Sequence, residues 1–302
     1  MGYVQIVSML PYGRLTGVVA LFGAVSVMFT AMSKEHPVTT KAALTFSIGA
    51  YPMPLMTFGV RSFGKISDVA ADVASGGRGF SLMMHDPPQS YAETGNAIRA
   101  AMKNSGLKRS DFFVSIMAFC KGQDLSDAIS QTGLDYIDAA MLHMPCGDDK
   151  ATLKVWGSFE DLVTKGKAKA AGVSQFNLAQ LKALVAAAKI PPILNQIQMS
   201  VVDGASLKDA RDAQELGVRY WAYTSLGKNA AALKDTTVQR IADTHGVPSA
   251  WIAFKFLTQQ GFPVLTFAGL KTDRVKEETS ESFNALTLSD DELADLTERK
   301  AA

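Results

Sequence analysis

Cysteine is scarce in this sequence. Only Cys120 and Cys146 occur, and their spacing suits no metal site. Two free thiols in a reducing compartment are the expectation from that count. An excess of either charge is also missing: 30 Lys and Arg stand against 29 Asp and Glu, a net charge of +1. That balance gives no reason to expect nucleic acid or an acidic partner. Neither a G-x-G-x-x-G nor a G-x-x-x-x-G-K-[ST] pattern is present, so no glycine-rich nucleotide loop of those kinds is on offer. Tandem repeats and low-complexity tracts are absent too. What the chain does have is apolar material, 47% of 302 residues, enough for the core of one large α/β domain or two smaller ones.

The longest uncharged run is Leu15 to Met32, LTGVVALFGAVSVMFTAM. As a helix it would be about 27 Å long, close to the hydrocarbon thickness of a bilayer. Arg14 precedes it, and Lys34, Glu35, His36 and Pro37 follow. Small residues at Gly17, Ala20, Gly23 and Ala24 would let a second helix approach closely. The adopted reading is a single retained transmembrane helix. A removed signal or transit segment, with Ala24-Val25-Ser26 as its cleavage site, and a buried core helix are the alternatives. Residues 1–42 are therefore read as an apolar anchor with its linker, and residues 43–302 as the folded domain.

From Ala43 onward, short apolar runs alternate with amphipathic stretches. The runs are residues 54–59, 79–84, 112–117, 137–143, 170–175, 193–199, 219–224 and 263–269. Helical patterns such as SYAETGNAIRAAMKNSG and NLAQLKALVAAAKI separate them. Near the C-terminus, Ser289 and Glu292 have capping-box spacing. Eight strands alternating with helices predict an α/β fold of the (β/α)8 TIM barrel type. Ahead of the first barrel strand, LTFSIGAYPM reads as a β-hairpin that would plug the barrel's bottom. In such a barrel the strand ends carry the chemistry. The positions to interrogate are then Phe58-Gly59, Met83 to His85, Met117, His143, Ser174-Gln175, Gln196, Tyr223 and Phe267 to Leu270.

Ordered motifs add a resemblance. LTFSIGAYPMPLMTFGV, LDYIDAAMLHMP, GKAKAAGVSQFNLAQL, ILNQIQM and VRYWAYTSLG together resemble the aldo-keto reductases from about Thr45 to the C-terminus. That family implies a (β/α)8 barrel that reduces aldehydes and ketones with NADPH and no metal. Its tyrosine donates the proton, a lysine paired to an aspartate lowers the phenol's pKa, and a histidine polarises the carbonyl. By resemblance the histidine is His143. The aspartate's place holds Ser81 and the lysine's place holds Met117. The tyrosine's slot falls among Asp86, Pro87 and Pro88, with Tyr91 the nearest phenol. Tyr223 matches the residue that stacks on nicotinamide, and Ser174 and Gln196 match two carboxamide positions, with Gln175 replacing an asparagine between them. Leu226-Gly227 match the pyrophosphate loop. At the adenosine end Arg274 is kept, Glu278 replaces an asparagine, and Ala268-Gly269 replace a lysine and a serine, with Lys271 nearby.

Loss of three catalytic roles implies a membrane-tethered pseudoenzyme with NADPH binding weakened or lost. It would act as an accessory or structural subunit of a membrane protein complex, for which a chloroplast or mitochondrial membrane is suited. The alternative is an active NADPH-dependent reductase of aldehydes or ketones with a rearranged donor. Tyr91, His85 or His143 would then supply the proton, with Lys121 folding back. A third reading keeps the cofactor without chemistry, as a nucleotide sensor that depends on Tyr223 and Arg274.

Overall fold

The computed structural model describes residues 45–48, 51–62, 65–66, 68–83, 86, 88–120, 125–204, 206–267 and 272–298. All lie in one compact unit, Val38–Ala302. The apolar run Leu15–Met32 lies outside the described residues. Among those described, no helix is long and apolar enough to cross a membrane.

The hairpin forms as expected: β1 (Thr45–Ile48) pairs antiparallel with β2 (Tyr51–Pro54). After β3 (Met56–Gly59), a short antiparallel pair follows, β4 (Arg61–Ser62) with β5 (Lys65–Ile66). Then come β6 (Gly79–Met83), β7 (Phe113–Ala118), β8 (Ile137–Leu142), β9 (Ala168–Ser174), β10 (Leu194–Gln198), β11 (Arg219–Tyr223) and β12 (Val264–Thr266). β3 and β6 to β12 close into a parallel barrel, sealed where Val264, Leu265 and Thr266 pair with Met56, Thr57 and Phe58. The first strand starts later than residue 54 because Pro54 belongs to the hairpin, where it lies opposite Thr45.

Two sets of side chains divide the core by strand periodicity. Phe58, Phe80, Val114, Ile116, Ala140, Leu142, Val173 and Ala222 face the helices. The alternate set fills the barrel: Phe113, Met117, Ala139, Met141, Leu194, Trp221 and Leu265 pack together with Met53 of the hairpin. Met53 is fully buried there, so the hairpin does contribute to the barrel's filling. Inside, Phe113 meets Trp221 edge-on at 5.9 Å. The Trp221 indole donates to Thr57 Oγ1 at 3.0 Å, and that hydroxyl donates to the Val264 carbonyl at 2.9 Å.

At the starts of the strands, Asp138 accepts from Arg109 at 2.7 Å and from the Val114 amide at 2.9 Å, with Lys169 at 3.8 Å. Arg109 and Lys169 both lie over the Tyr136 ring. This cluster sits at the end of a barrel that serves stability rather than chemistry.

The two cysteines correct an expectation. Cys120 and Cys146 form a disulfide; they are not free thiols. The count alone hid this, because pairing depends on two loops that follow neighbouring strands.

Candidate functional site

The carboxyl ends of the barrel strands enclose a pocket of about 160 Å³. β3 brings Gly59 to it, β6 brings Ser81 and Met83, β7 brings Met117, and His143 follows β8. From the other side come Ser174 and Gln175 at the end of β9, Gln196 of β10, Tyr223 of β11, and Leu265 and Phe267 of β12 and its exit. Ser81, Met83, Met117, His143, Ser174, Gln175, Gln196 and Tyr223, all named from the sequence, are thus brought together. The reason is period 2: all but Gln175 continue the inward-facing set of each strand towards its carboxyl end, and Gln175 enters from the turn after Ser174.

On one wall, Ser115 Oγ bonds Ser81 Oγ at 3.1 Å. Both are buried, so the aspartate's place holds a neutral hydroxyl pair. Met117 is buried and belongs to the barrel's apolar filling. A thioether there supplies no charge to lower the pKa of a neighbouring phenol. Among the described residues the lining includes Asp86 but neither a lysine nor Tyr91. Asp86 accepts the Met83 amide at 2.8 Å, and its own amide donates to the Met83 carbonyl at 2.8 Å.

Tyr91 lies outside the pocket, in the helix Pro88–Ser105. Its hydroxyl donates to the Met83 carbonyl at 2.6 Å. Burial, and then the nearby Asp86 charge, push the phenol up to about 12. A phenol so held is a poorer acid than a free one. His85, Lys121 and Lys271 lie outside the described residues.

On the opposite wall, Ser174 Oγ donates to the Gln196 carbonyl at 2.7 Å. Gln175 takes a left-handed backbone, φ 61°. Asparagine tolerates that region better than glutamine does. The turn is held from behind by Asn195, whose amide donates to the Phe176 carbonyl at 2.8 Å. The side-chain Nε2 of Gln196 is buried and finds no hydrogen-bond partner among the described residues. An amide donor left in that state wants an acceptor from a ligand. Tyr223 is half-buried beside it, and burial raises its phenol.

Away from the pocket, Leu226 packs against the core. The following Gly227 has φ 76°, and a Cβ there would strike Val202. The next amide, Lys228 N–H, donates to Asp203 Oδ2 at 3.2 Å. Arg274 is exposed on the short helix Thr272–Glu278. Glu278 is buried, its Oε2 without a partner among the described residues, and burial pushes its carboxyl up to about 8. No cluster of potential metal ligands occurs among the described residues.

Sequence reasoning put Asp86 in the tyrosine's slot and Phe267 at a strand end without their contacts, and missed Phe119. Asp86 faces the pocket. Phe267, 43% exposed, lies so close over Gly59 that a Cβ there would overlap its ring. Phe119 stacks on His143, ring centroids 4.5 Å apart. The signal available was positional: each lies at or just beyond a strand end.

A family model described as the Aldo/keto reductase family matches residues 123–300. The chain belongs to that family. It is 27% identical over 268 residues to morphine 6-dehydrogenase of Pseudomonas putida, covering 82% of this chain and 87% of that one. To the NADH-dependent D-xylose reductase of Candida parapsilosis it is 26% identical over 306 residues, covering 83% and 91%. Among solved structures, the aldose reductase of Schistosoma japonicum superposes with a TM-score of 0.71 at 22% identity, covering 85% and 91%. An aldo-keto reductase from a Medee basin deep-sea metagenome library gives 0.71 at 24%, covering 83% and 92%. At those identities the two structures show the shared fold. Aldo-keto reductases use NAD(P)H, and the residues of this member fit a dinucleotide unevenly. The pocket end fits: Gln196 Nε2, Ser174 and the Tyr223 ring would hold a carboxamide-bearing ring. The far end does not offer the same: among the described residues it presents the exposed Arg274 and a buried acid, Glu278, whose carboxyl burial raises to about 8.

Proposed function

We propose that this aldo-keto reductase retains the nicotinamide end of its cofactor site and has given up tyrosine-dependent carbonyl reduction. In this reading it works as an accessory subunit of a membrane protein complex, tethered by Leu15–Met32. One observation carries it: the wall that should supply acid and field is built from Ser81, Met83 and Met117. Hydride transfer to a carbonyl leaves charge on oxygen, and a proton must arrive as it forms. Serine hydroxyls and thioethers neither donate that proton at neutral pH nor stabilise the donor's ionised form.

The test is NADPH oxidation by the purified chain across a panel of aldehydes and ketones. No turnover above the protein-free rate is expected; sustained turnover would overturn the reading. Quenching of intrinsic tryptophan fluorescence by NADPH measures whether binding survives without chemistry. The tether is checked by fractionation: the full chain should stay with membranes through alkaline carbonate and leave them in detergent. Release by carbonate alone would remove the membrane part of the proposal.

A second reading has its own support, because Asp86 and His143 line one pocket. An active reductase could take its proton through that pair. In that case Asp86→Asn and His143→Ala would each abolish turnover and Tyr91→Phe would leave it unchanged.

A further inference from the structure

We infer that the Cys120–Cys146 disulfide is a redox modification site that controls access to His143, its reactant being a dithiol. The inference concerns entry to the pocket and stands whether or not the pocket performs chemistry.

The parallel ladder between β7 and β8 runs to Ala118 and Leu142, and its last bond is from the His143 amide to the Ala118 carbonyl at 2.8 Å. Beyond that bond the ladder ends. Cys120 lies three residues past Met117, and Cys146 three residues past His143, so both arms of the bridge begin at pocket-lining side chains. The disulfide holds these arms at a Cα separation of 5.4 Å. Phe119, adjacent to Cys120, lies with its ring tilted 38° to the His143 imidazole. The far arm has a second anchor, since the Cys146 amide donates to Thr152 Oγ1 at 2.9 Å.

The chemistry is thiol–disulfide exchange. Cys146 is 9% exposed and Cys120 is more open, which directs attack to Cys120. A thiolate of the dithiol attacks Cys120 Sγ, the bond between the two cysteine sulfurs breaks, and Cys146 leaves as a thiolate that takes up a proton. The second thiol of the reagent then attacks its own sulfur in the mixed disulfide and releases Cys120, which is protonated in turn. Two electrons pass from the dithiol, which ends as a disulfide, to the protein, which ends with two thiols. With the bridge open, Phe119 no longer stays over His143.

The experiment uses the full chain at one neutral pH, with and without dithiothreitol. Diethylpyrocarbonate is the probe, and residue-resolved mass spectrometry reads carbethoxylation of each histidine. Maleimide labelling should find no free thiol before reduction and two after it. Reduction should raise the His143 rate roughly tenfold, because an arm that loses its tether opens more readily. His245, bonded to Glu292 at 2.8 Å, should not change. Phe119→Ala in the oxidised chain should reproduce the rise, and a Cys120→Ser, Cys146→Ser chain should show it without reductant. Two labelled thiols in the unreduced chain, or a His143 rate indifferent to reduction, would overturn the inference. Should the double variant unfold, as circular dichroism would show, the comparison of oxidised and reduced native chain decides alone.

Discussion

At the residue scale, two buried carboxyls couple the chain's stability to pH. Glu278 is raised to about 8, first by burial, with Arg274 opposing and Glu277 adding to the shift. Asp72 is raised to about 7 by burial and then by Asp68. From the ordinary carboxyl range up to these values the folded chain keeps protons that the unfolded chain has lost. Their contribution to stability is therefore fully present at acid pH and falls as pH rises, through about 8 for Glu278. Glu278→Gln keeps the shape and removes the ionisation. Between about pH 5 and about pH 8.5 the native chain should lose on the order of 3 kcal/mol more than this variant. Urea unfolding at the two pH values checks it, and parallel profiles would show that Glu278 is not the group responsible. In the sequence Glu278 stood out only as an acid in an asparagine's place. Its neutral state follows from burial, which no local pattern announced.

At the element scale, the strands were legible and their inner faces were not. Parallel strands are covered on both sides, so β7 reads as a continuous apolar run with no alternation to mark inside from outside. The registers settle it: Met83 pairs with Met117, Met117 with Met141, and Met141 with Gly172. That last pairing explains the glycine. A Cβ on residue 172 would come within 2.6 Å of Met141 Sδ and 2.9 Å of Leu194 Cβ. Gly172→Ala should therefore cost about 1–3 kcal/mol through overpacking of the barrel interior, read as a lower urea midpoint. An unchanged midpoint would mean that Met141 moves aside freely. Caps were the most readable feature. Ser289 and Glu292 bond reciprocally at 2.8 and 3.2 Å, as their spacing predicts, because the motif is local to one turn.

At the scale of the whole molecule, the barrel closes between chain segments that are remote in sequence. β11 meets β12 at a single pair, Ala222 with Val264. The Trp221–Thr57–Val264 relay reinforces this thin seam from inside, tying three neighbouring strands through buried hydrogen bonds. Thr57→Val keeps the volume but leaves the buried Trp221 indole N–H without its acceptor. A loss of about 1–3 kcal/mol is expected, measured by thermal or urea unfolding with near-ultraviolet circular dichroism to follow Trp221. Stability equal to the native chain would show that the relay is dispensable for closure.

The sequence by itself determined the order of strands and helices, the hairpin before the barrel, the family, and most of the pocket's residues. These follow from short-range patterning and from motifs whose residues are neighbours along the chain. Tertiary structure alone decided which side chains share a wall. It turned Tyr91 onto the Met83 carbonyl and brought Asp86 to the pocket. It joined Cys120 to Cys146 and laid Phe119 over His143. Each of these depends on where loops after adjacent strands come to lie, and that is set by barrel closure and register rather than by any local run of residues.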